Sequence, residues 1–405
     1  MRVTALLLTI LAVDAFPLLS SLTGSQDELR VIKLGPDTYQ AVSESEKVKL
    51  KRSKINFIDV TNQISVQEAI ENGMVEAVAP KHWWNNALYF GSKQLDSLKT
   101  EIPNYKYPTS VSHSKTIKKA LKKIDTERMY DLLSKFSSFY TRYYKLDTGY
   151  ESARWLERHI DEIVKPAKNV TVSQVHHDGW NQYSIIVSIP GITDSKVVVG
   201  AHQDSANLLL PNLLKAPGAD DDGSGTVTTL EALRILMDYY VDGTFVPYNT
   251  LEFHFYSAEE GGLLGSIDVF SRYHANKETV IAMLQQDMTG YSAGMSELGV
   301  EQHLGLIMDY TTPSLNEFLK MIIGEYCAIP YHETECGYAC SDHASALENG
   351  YPASFIIESE FKYSSHYIHS VMDTIDRIDW DHVTEHVKLT LGYAWEMASA
   401  KVKVE

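Results

Sequence analysis

The 405-residue chain is poor in the residues and runs that mark unfolded, fibrous or membrane-spanning proteins. It has 13 Pro and 23 Gly against 44% hydrophobic residues, so collagen-like, low-complexity and disordered readings fail. It lacks a basic excess. With 36 Lys and Arg against 53 Asp and Glu, the net charge of -17 offers no electrostatic footprint for nucleic acid or for an anionic membrane surface. No internal stretch approaches a membrane span. The acidic balance does supply carboxylates, which are ligands for hard and borderline metal ions.

What is present begins at the N-terminus. Arg2 is followed by the apolar run Val3 to Val13, and Val13-Asp14-Ala15 places small residues just ahead of Phe16-Pro17. This pattern predicts a secretory signal peptide over residues 1 to 15 and an extracellular product. In an oxidising compartment Cys336 and Cys340, four apart, are close enough to close a small disulfide loop, leaving Cys327 as a buried small hydrophobe. Asn169-Val170-Thr171 is a candidate glycosylation sequon. A monomer is expected.

Residues 16 to 106 are polar and weakly patterned, with the charge-rich run KVKLKRSK at 47 to 54. After a signal peptide such a segment reads as a pro-region, with its cut placed between about residues 80 and 110. The main domain is assigned to 107–405. Apolar residues at helical spacing run from Leu121 to Phe139, a second helix is expected from Tyr150 to Val164, and Tyr140, Tyr143 and Tyr144 read as core. Strand and helix patterns then alternate. Strands are expected at 183–189, 196–200, 250–257, 280–286 and 353–357, and helices at 226–240, 263–274, 314–327 and 382–400. The alternation predicts a three-layer α/β/α fold with a mixed, mostly parallel sheet and helices on both faces.

The chemistry gathers where strands end. KVVVG runs into His202-Gln203-Asp204, TLEFHFYS into Ala258-Glu259-Glu260-Gly261-Gly262, and VIAMLQQ into Asp287. Carboxyl ends of parallel strands are where α/β sheets collect ligands, so these clusters should converge. Gly218-Ala219-Asp220-Asp221-Asp222-Gly223 opens a helix with three carboxylates, and His366 and His369 follow late in the chain. Each has a bland reading: a satisfied histidine, surface charge, or acidic residues at a helix start. Together they provide what a peptide-cleaving metal site needs: His and carboxylate ligands, a carboxylate to join two ions, and an unligated carboxylate to take a proton from water. His254 and the pair His176-His177 read as structural or exposed.

The segments HQDS, APGADDDGSG, YSAEEGGLLGS, LQQDMTGY, CGYACSDHAS and IHSVMDT resemble the secreted di-zinc aminopeptidases, most of all the fungal extracellular leucine aminopeptidases, over about residue 115 to the C-terminus. The resemblance implies two zinc ions bridged by Asp221, with His202 and Asp287 on one and Glu260 and His369 on the other. It makes Glu259 the general base and later acid, and the Ile-His-Ser-x-x-Asp-Thr frame selects His369 over His366. Asp204 becomes a support for the His202 imidazole, a role its i+2 position also suggests. The disulfide loop, with Tyr338, and the apolar residues Met288, Phe355, Ile357, Phe361 and Ile368 would shape a pocket for a hydrophobic, Leu-like first residue. The implied substrates are peptide or protein N-termini. The rival readings are a single-zinc glutaminyl cyclase, a carboxypeptidase on a similar fold, and a binding module that has lost its ligands.

Overall fold

The computed structural model describes residues 29–35, 38–53, 55, 57–75 and 101–404. The expected signal peptide and most of the window for the pro-region cut lie outside the described residues. Among the described residues no helix is long and apolar enough to cross a membrane.

Three strands come from the N-terminal segment: β1 (Leu29–Gly35), β2 (Thr38–Ser43) and β3 (Ile58–Asp59), in the antiparallel order β2-β1-β3. A two-residue strand β4 (Tyr105–Lys106) pairs with the last strand, β13 (Lys403–Val404). The remainder, β5 (Thr171–Val175), β6 (Ser184–Ile189), β7 (Thr193–His202), β8 (Asn249–Tyr256), β9 (Val280–Gln286), β10 (Leu304–Ile307), β11 (Tyr331–Thr334) and β12 (Ala353–Ile357), form one sheet. Its order is β11-β10-β12-β9-β7-β8-β6-β5. The centre, β12-β9-β7-β8, is parallel, and antiparallel pairs enter at β10 and at β6.

The central strands are buried on both faces, as a sheet covered on both sides requires. In β7, Val197 and Val199 join the larger core, whereas Val198 points to the other layer, following the period of two. The larger core holds the helices Thr126–Phe136, Asp147–Val164, Gly225–Val241, Pro313–Tyr326 and Trp380–Ser399; the helices Leu264–Ala275 and His343–Glu348 cover the opposite face. This is the expected three-layer α/β arrangement.

Several local expectations needed correcting. The apolar run from Leu121 to Phe139 is not one helix: Leu121–Lys123 is a 3-10 turn closing the helix Ser114–Ala120, and Asp125 caps a new helix, Thr126–Phe136, by accepting the Arg128 N–H. Tyr143 and Tyr144 are buried, but Tyr140 is 54% exposed. Tyr105 and Tyr107 belong to the main core, so the packed body begins ahead of residue 107. Cys336 and Cys340 form the disulfide, while Cys327 is half-buried, its thiol directed at the Glu385 carbonyl.

The N-terminal segment packs onto this body. Val31, Ile58, Val60, Ala69, Met74 and Val75 share one apolar cluster with Leu263, Ile267, Ala339 and Ala344. Asp59 N–H donates to Gly262 O at 3.0 Å, and Gly262 must be glycine twice over. Its φ is +102°, and a Cβ would sit 2.7 Å from the Phe57 ring.

Candidate metal centre

The site forms at the carboxyl ends of β7, β8 and β9, where the sheet delivers His202, Glu259 with Glu260, and Asp287 to one place. The turn Ala219–Ser224, with a cis Asp221-Asp222 peptide, adds Asp221. Gly225 permits the approach, since a Cβ there would lie 2.2 Å from Asp222 Oδ1 and 2.4 Å from Gln286 O. Four non-glycine residues at the site have left-handed backbone: Ala258 (φ 57°), Leu263 (φ 60°), Met288 (φ 60°) and His369 (φ 57°). Each such conformation costs roughly 1–3 kcal/mol and persists only where surrounding packing imposes it.

Two donor groups result, sharing one residue. His202, Asp221 and Asp287 offer atoms within 4.8 Å of one another, and so do Asp221, Glu260 and His369. Asp221 faces both ways, with Oδ1 3.1 Å from His202 Nε2 and Oδ2 2.9 Å from His369 Nε2. Asp287 Oδ1 is 3.5 Å from His202 Nε2, and Glu260 Oε2 is 3.2 Å from His369 Nε2. His366 is exposed and takes no part in either group.

The donors fit a metal, and the fit shows in what lacks a partner. Both ring nitrogens of His202 and Asp287 Oδ1 are buried with no hydrogen-bond partner. Buried polar atoms of this kind are uncommon and costly without a ligand. A mixed His and carboxylate set suits zinc. Burial would lower the His202 pKa, but the nearby carboxylates, Asp287 first and then Asp204 and Asp221, raise it well above the ordinary range. For Asp221, burial is outweighed by His369 and His202, which hold its carboxyl below the usual carboxylate range. Glu259 differs: burial lifts its carboxyl well above the ordinary value despite the opposing pull of Lys51 and His202. That is the direction a proton shuttle working near neutrality needs.

Asp204 reaches beyond His202. Its Oδ1 lies 3.5 Å from His202 Nδ1, but its oxygens also accept the Glu259 N–H at 3.0 Å and the Glu260 N–H at 3.2 Å. It therefore fixes the turn that carries both glutamates. The pocket residues Met288, Tyr338, Phe355, Ile357, Phe361 and Ile368 line one cavity with Asp221, Glu259, Asp287 and His369, and Cys340 contributes to its wall.

Other residues at the site were not legible as functional. Asp222 accepts the His202 N–H at 3.0 Å and the Met288 N–H at 3.2 Å, tying two strand ends together. Asp373 accepts the N–H groups of Asp220 and Asp221 at 2.9 and 3.1 Å. Ser341 donates to Asp287 Oδ2 at 2.6 Å. Arg142, buried inside the aromatic run, donates to the carbonyls of Gln203, Pro217 and Gly218. The only sequence signal for Arg142 was a charge among aromatics. A further donor group, His303, His332 and Glu360, lies apart. Its imidazoles are stacked, with centroids 3.8 Å apart and planes 14° from parallel, so in-plane lone pairs do not meet at one point.

An α/β sheet with His and carboxylate donors at its strand ends, beside an apolar cavity, defines a metallohydrolase. Residues 184–394 match the model of peptidase family M28. A probable aminopeptidase of Saccharomyces cerevisiae is 47% identical over 92% of this chain and 93% of its own. Leucine aminopeptidase 1 of Blastomyces gilchristii is 43% identical over 92% and 90%. The Legionella pneumophila LapA aminopeptidase superposes with a TM-score of 0.74 at 25% identity, covering 95% of this chain and 96% of that one. The chain belongs to peptidase family M28, and its enzyme class is the zinc-dependent metallo-aminopeptidases.

Proposed function

We propose that the protein is a secreted di-zinc aminopeptidase that removes hydrophobic, Leu-like residues from peptide N-termini and is made as a latent precursor. The observation that carries the reading is the pair of donor groups sharing Asp221, with Glu259 and an apolar pocket in the same cavity. His202 and Asp287 would hold one ion, Glu260 and His369 the other, and Asp221 would bridge them. Zinc, when bound, supplies Lewis acidity toward the scissile carbonyl and brings the pKa of water toward neutrality. Glu259 then takes the proton from the attacking water and returns it to the leaving amine, which a buried carboxyl of raised pKa is suited to do. Met288, Phe355, Ile357, Phe361 and Ile368 give the first side chain an apolar wall, and Tyr338 with the Cys336–Cys340 loop closes one edge.

Latency has its own support. Lys51 and Phe57 of the N-terminal segment line the same cavity as Glu259 and Asp221, where substrate would enter. Residues 16 to 106 are therefore read as a pro-region to be removed before turnover. Secretion rests on the signal pattern of residues 1 to 15, and glycosylation on the Asn169 sequon, whose asparagine is exposed.

The test is metal content per chain on processed protein, paired with hydrolysis of leucine p-nitroanilide before and after chelation. About two zinc ions, with activity lost on chelation and restored by zinc, is the expected result. One zinc with cyclisation of N-terminal glutamine would move the protein to the cyclase reading. Cleavage of N-blocked peptides in place of free amines would make it a carboxypeptidase.

A further inference from the structure

A lysine of the N-terminal segment reaches both glutamates of the site. Lys51 Nζ lies 3.3 Å from Glu260 Oε2 and 3.5 Å from Glu259 Oε2, and its side chain is 8% exposed. This lysine is delivered there by a built element. The helix Glu44–Arg52 starts with a reciprocal capping box between Ser43 and Glu46, and Lys49, Lys51 and Arg52 occupy its last turn, where positive charge is favoured. Arg52 donates to the carbonyls of Leu208 and Leu209 on the rim of the site. Behind the helix, Asp59 joins Lys47 at 2.7 Å and Arg30 at 2.9 Å, anchoring it to its own sheet.

We propose that Lys51 is a placeholder cation: its ammonium and the ion held by Glu260 and His369 exclude one another, so full metal loading is linked to release of the segment. The inference rests on the di-metal reading above. Glu260 Oε2 faces both Lys51 Nζ and His369 Nε2, at 3.3 and 3.2 Å, so one oxygen is claimed by two alternative partners. An ammonium and a divalent ion on one buried carboxylate repel strongly where the effective dielectric is low. Among the described residues, the other donor group, His202, Asp221 and Asp287, forms no ion pair with Lys51 and should load first. The precursor is thus expected to hold one ion tightly and the second weakly, while Lys51 offsets the acidic cluster until the second arrives.

The experiment titrates zinc into the chelator-stripped full chain against a chromophoric chelator, comparing wild type with Lys51→Met. Lys51→Arg, which keeps the cation, and Lys49→Ala, at an exposed position of the same turn, serve as controls. The second zinc should bind wild type at least tenfold more weakly than the first, Lys51→Met should close that gap, and both controls should behave as wild type. Equal binding of two ions to folded wild type and Lys51→Met would overturn the inference and leave the di-metal reading standing. Absence of zinc from every chain, the processed one included, would end both. If Lys51→Met does not fold, acylation of Lys51 in wild type, followed by mass spectrometry, decides: it should rise as the second ion binds, and unchanged protection at two ions per chain would overturn the inference.

Discussion

Two buried histidines on neighbouring strands show what separates a candidate metal ligand from a structural residue. His202 ends β7 and His254 lies within β8, two register positions away, and both are fully buried beside carboxylates. His254 is satisfied: Nδ1 meets Tyr256 Oη at 2.9 Å and Nε2 meets Glu252 Oε2 at 3.0 Å. Glu252 is in turn held by Tyr273 and Lys196, and with burial opposing them its partners, His254 first, bring its pKa down to about 2. His202 has no such closure. Its nitrogens face Asp204, Asp221 and Asp287 at 3.1 to 3.5 Å with no hydrogen bond formed. A buried network that closes on itself specifies the fold, whereas one left open at convergent donors calls for a ligand.

The largest break in this comparison comes from the open network. Glu259→Gln should lower kcat by about 10²–10⁴-fold, the usual worth of a positioned base, with zinc content unchanged. Loss of zinc in that variant would show that Glu259, not Glu260, is the ligand. Next comes the closed cluster of the N-terminal segment, where Asp59 is surrounded by Arg30, Lys47 and Thr61, with Glu44 nearby. Burial opposes ionisation of Asp59, but Lys47 and Arg30 win and hold its pKa below the ordinary value. A depressed carboxylate contributes stability that is fully present above its unfolded pKa of about 3.9 and is lost as pH falls below it. The segment should therefore stay docked at neutral pH and loosen below about pH 4. Asp59→Asn should loosen the segment at pH 7 by about 1–3 kcal/mol, because Lys47 and Arg30 then keep only their longer contacts with Glu44. Limited proteolysis of the segment across pH reports both effects, and pH-independent protection in wild type would refute the assignment.

How far the sequence could be read follows the same division. The strands that carry the site, β7, β8 and β9, announced themselves as apolar runs ending in charged motifs, and the helices between them were placed to within a few residues. The short strands β5, β10 and β11 escaped notice, because TVSQV and YHET are largely solvent-facing and LGLI is too brief for its period to be read. The ligand candidates were visible because unusual residue types stood at strand ends. Asp222, Asp373 and Arg142 act by holding backbone in place, and which backbone they reach is decided only by tertiary packing. Lys51 is the extreme case: within KVKLKRSK nothing distinguishes it from its exposed neighbours, and its meaning comes from a fold that carries it 208 residues along the chain to Glu259.

The histidine pair itself predicts opposite losses. His202→Gln should reduce zinc content by about one ion per chain, since the group formed with Asp221 and Asp287 loses its only imidazole. His254→Phe should leave both ions bound and instead destabilise the fold by roughly 1–3 kcal/mol, because Glu252 and Tyr256 lose a buried partner. Zinc content and a denaturant midpoint on the same preparations check the pair. A metal defect in His254→Phe would erase the distinction drawn between them.

The smallest expected effect lies on the apolar wall, which neither network touches. Ile357 is buried at the end of β12, and its side chain packs with Met288, Phe355, Phe361 and Ile368 in the cavity beside Glu259. Ile357→Val removes one methylene from that wall without disturbing a polar atom. A methylene in an apolar pocket is worth about 1 kcal/mol at the low end, so the preference for leucyl over valyl substrates should change by roughly fivefold. The ratio of kcat/KM for the two p-nitroanilides measures it, with zinc content held as the control. A change well above about 200-fold would mean that Ile357 positions the metal centre and does not merely line the pocket, because that exceeds what a single methylene of contact supplies.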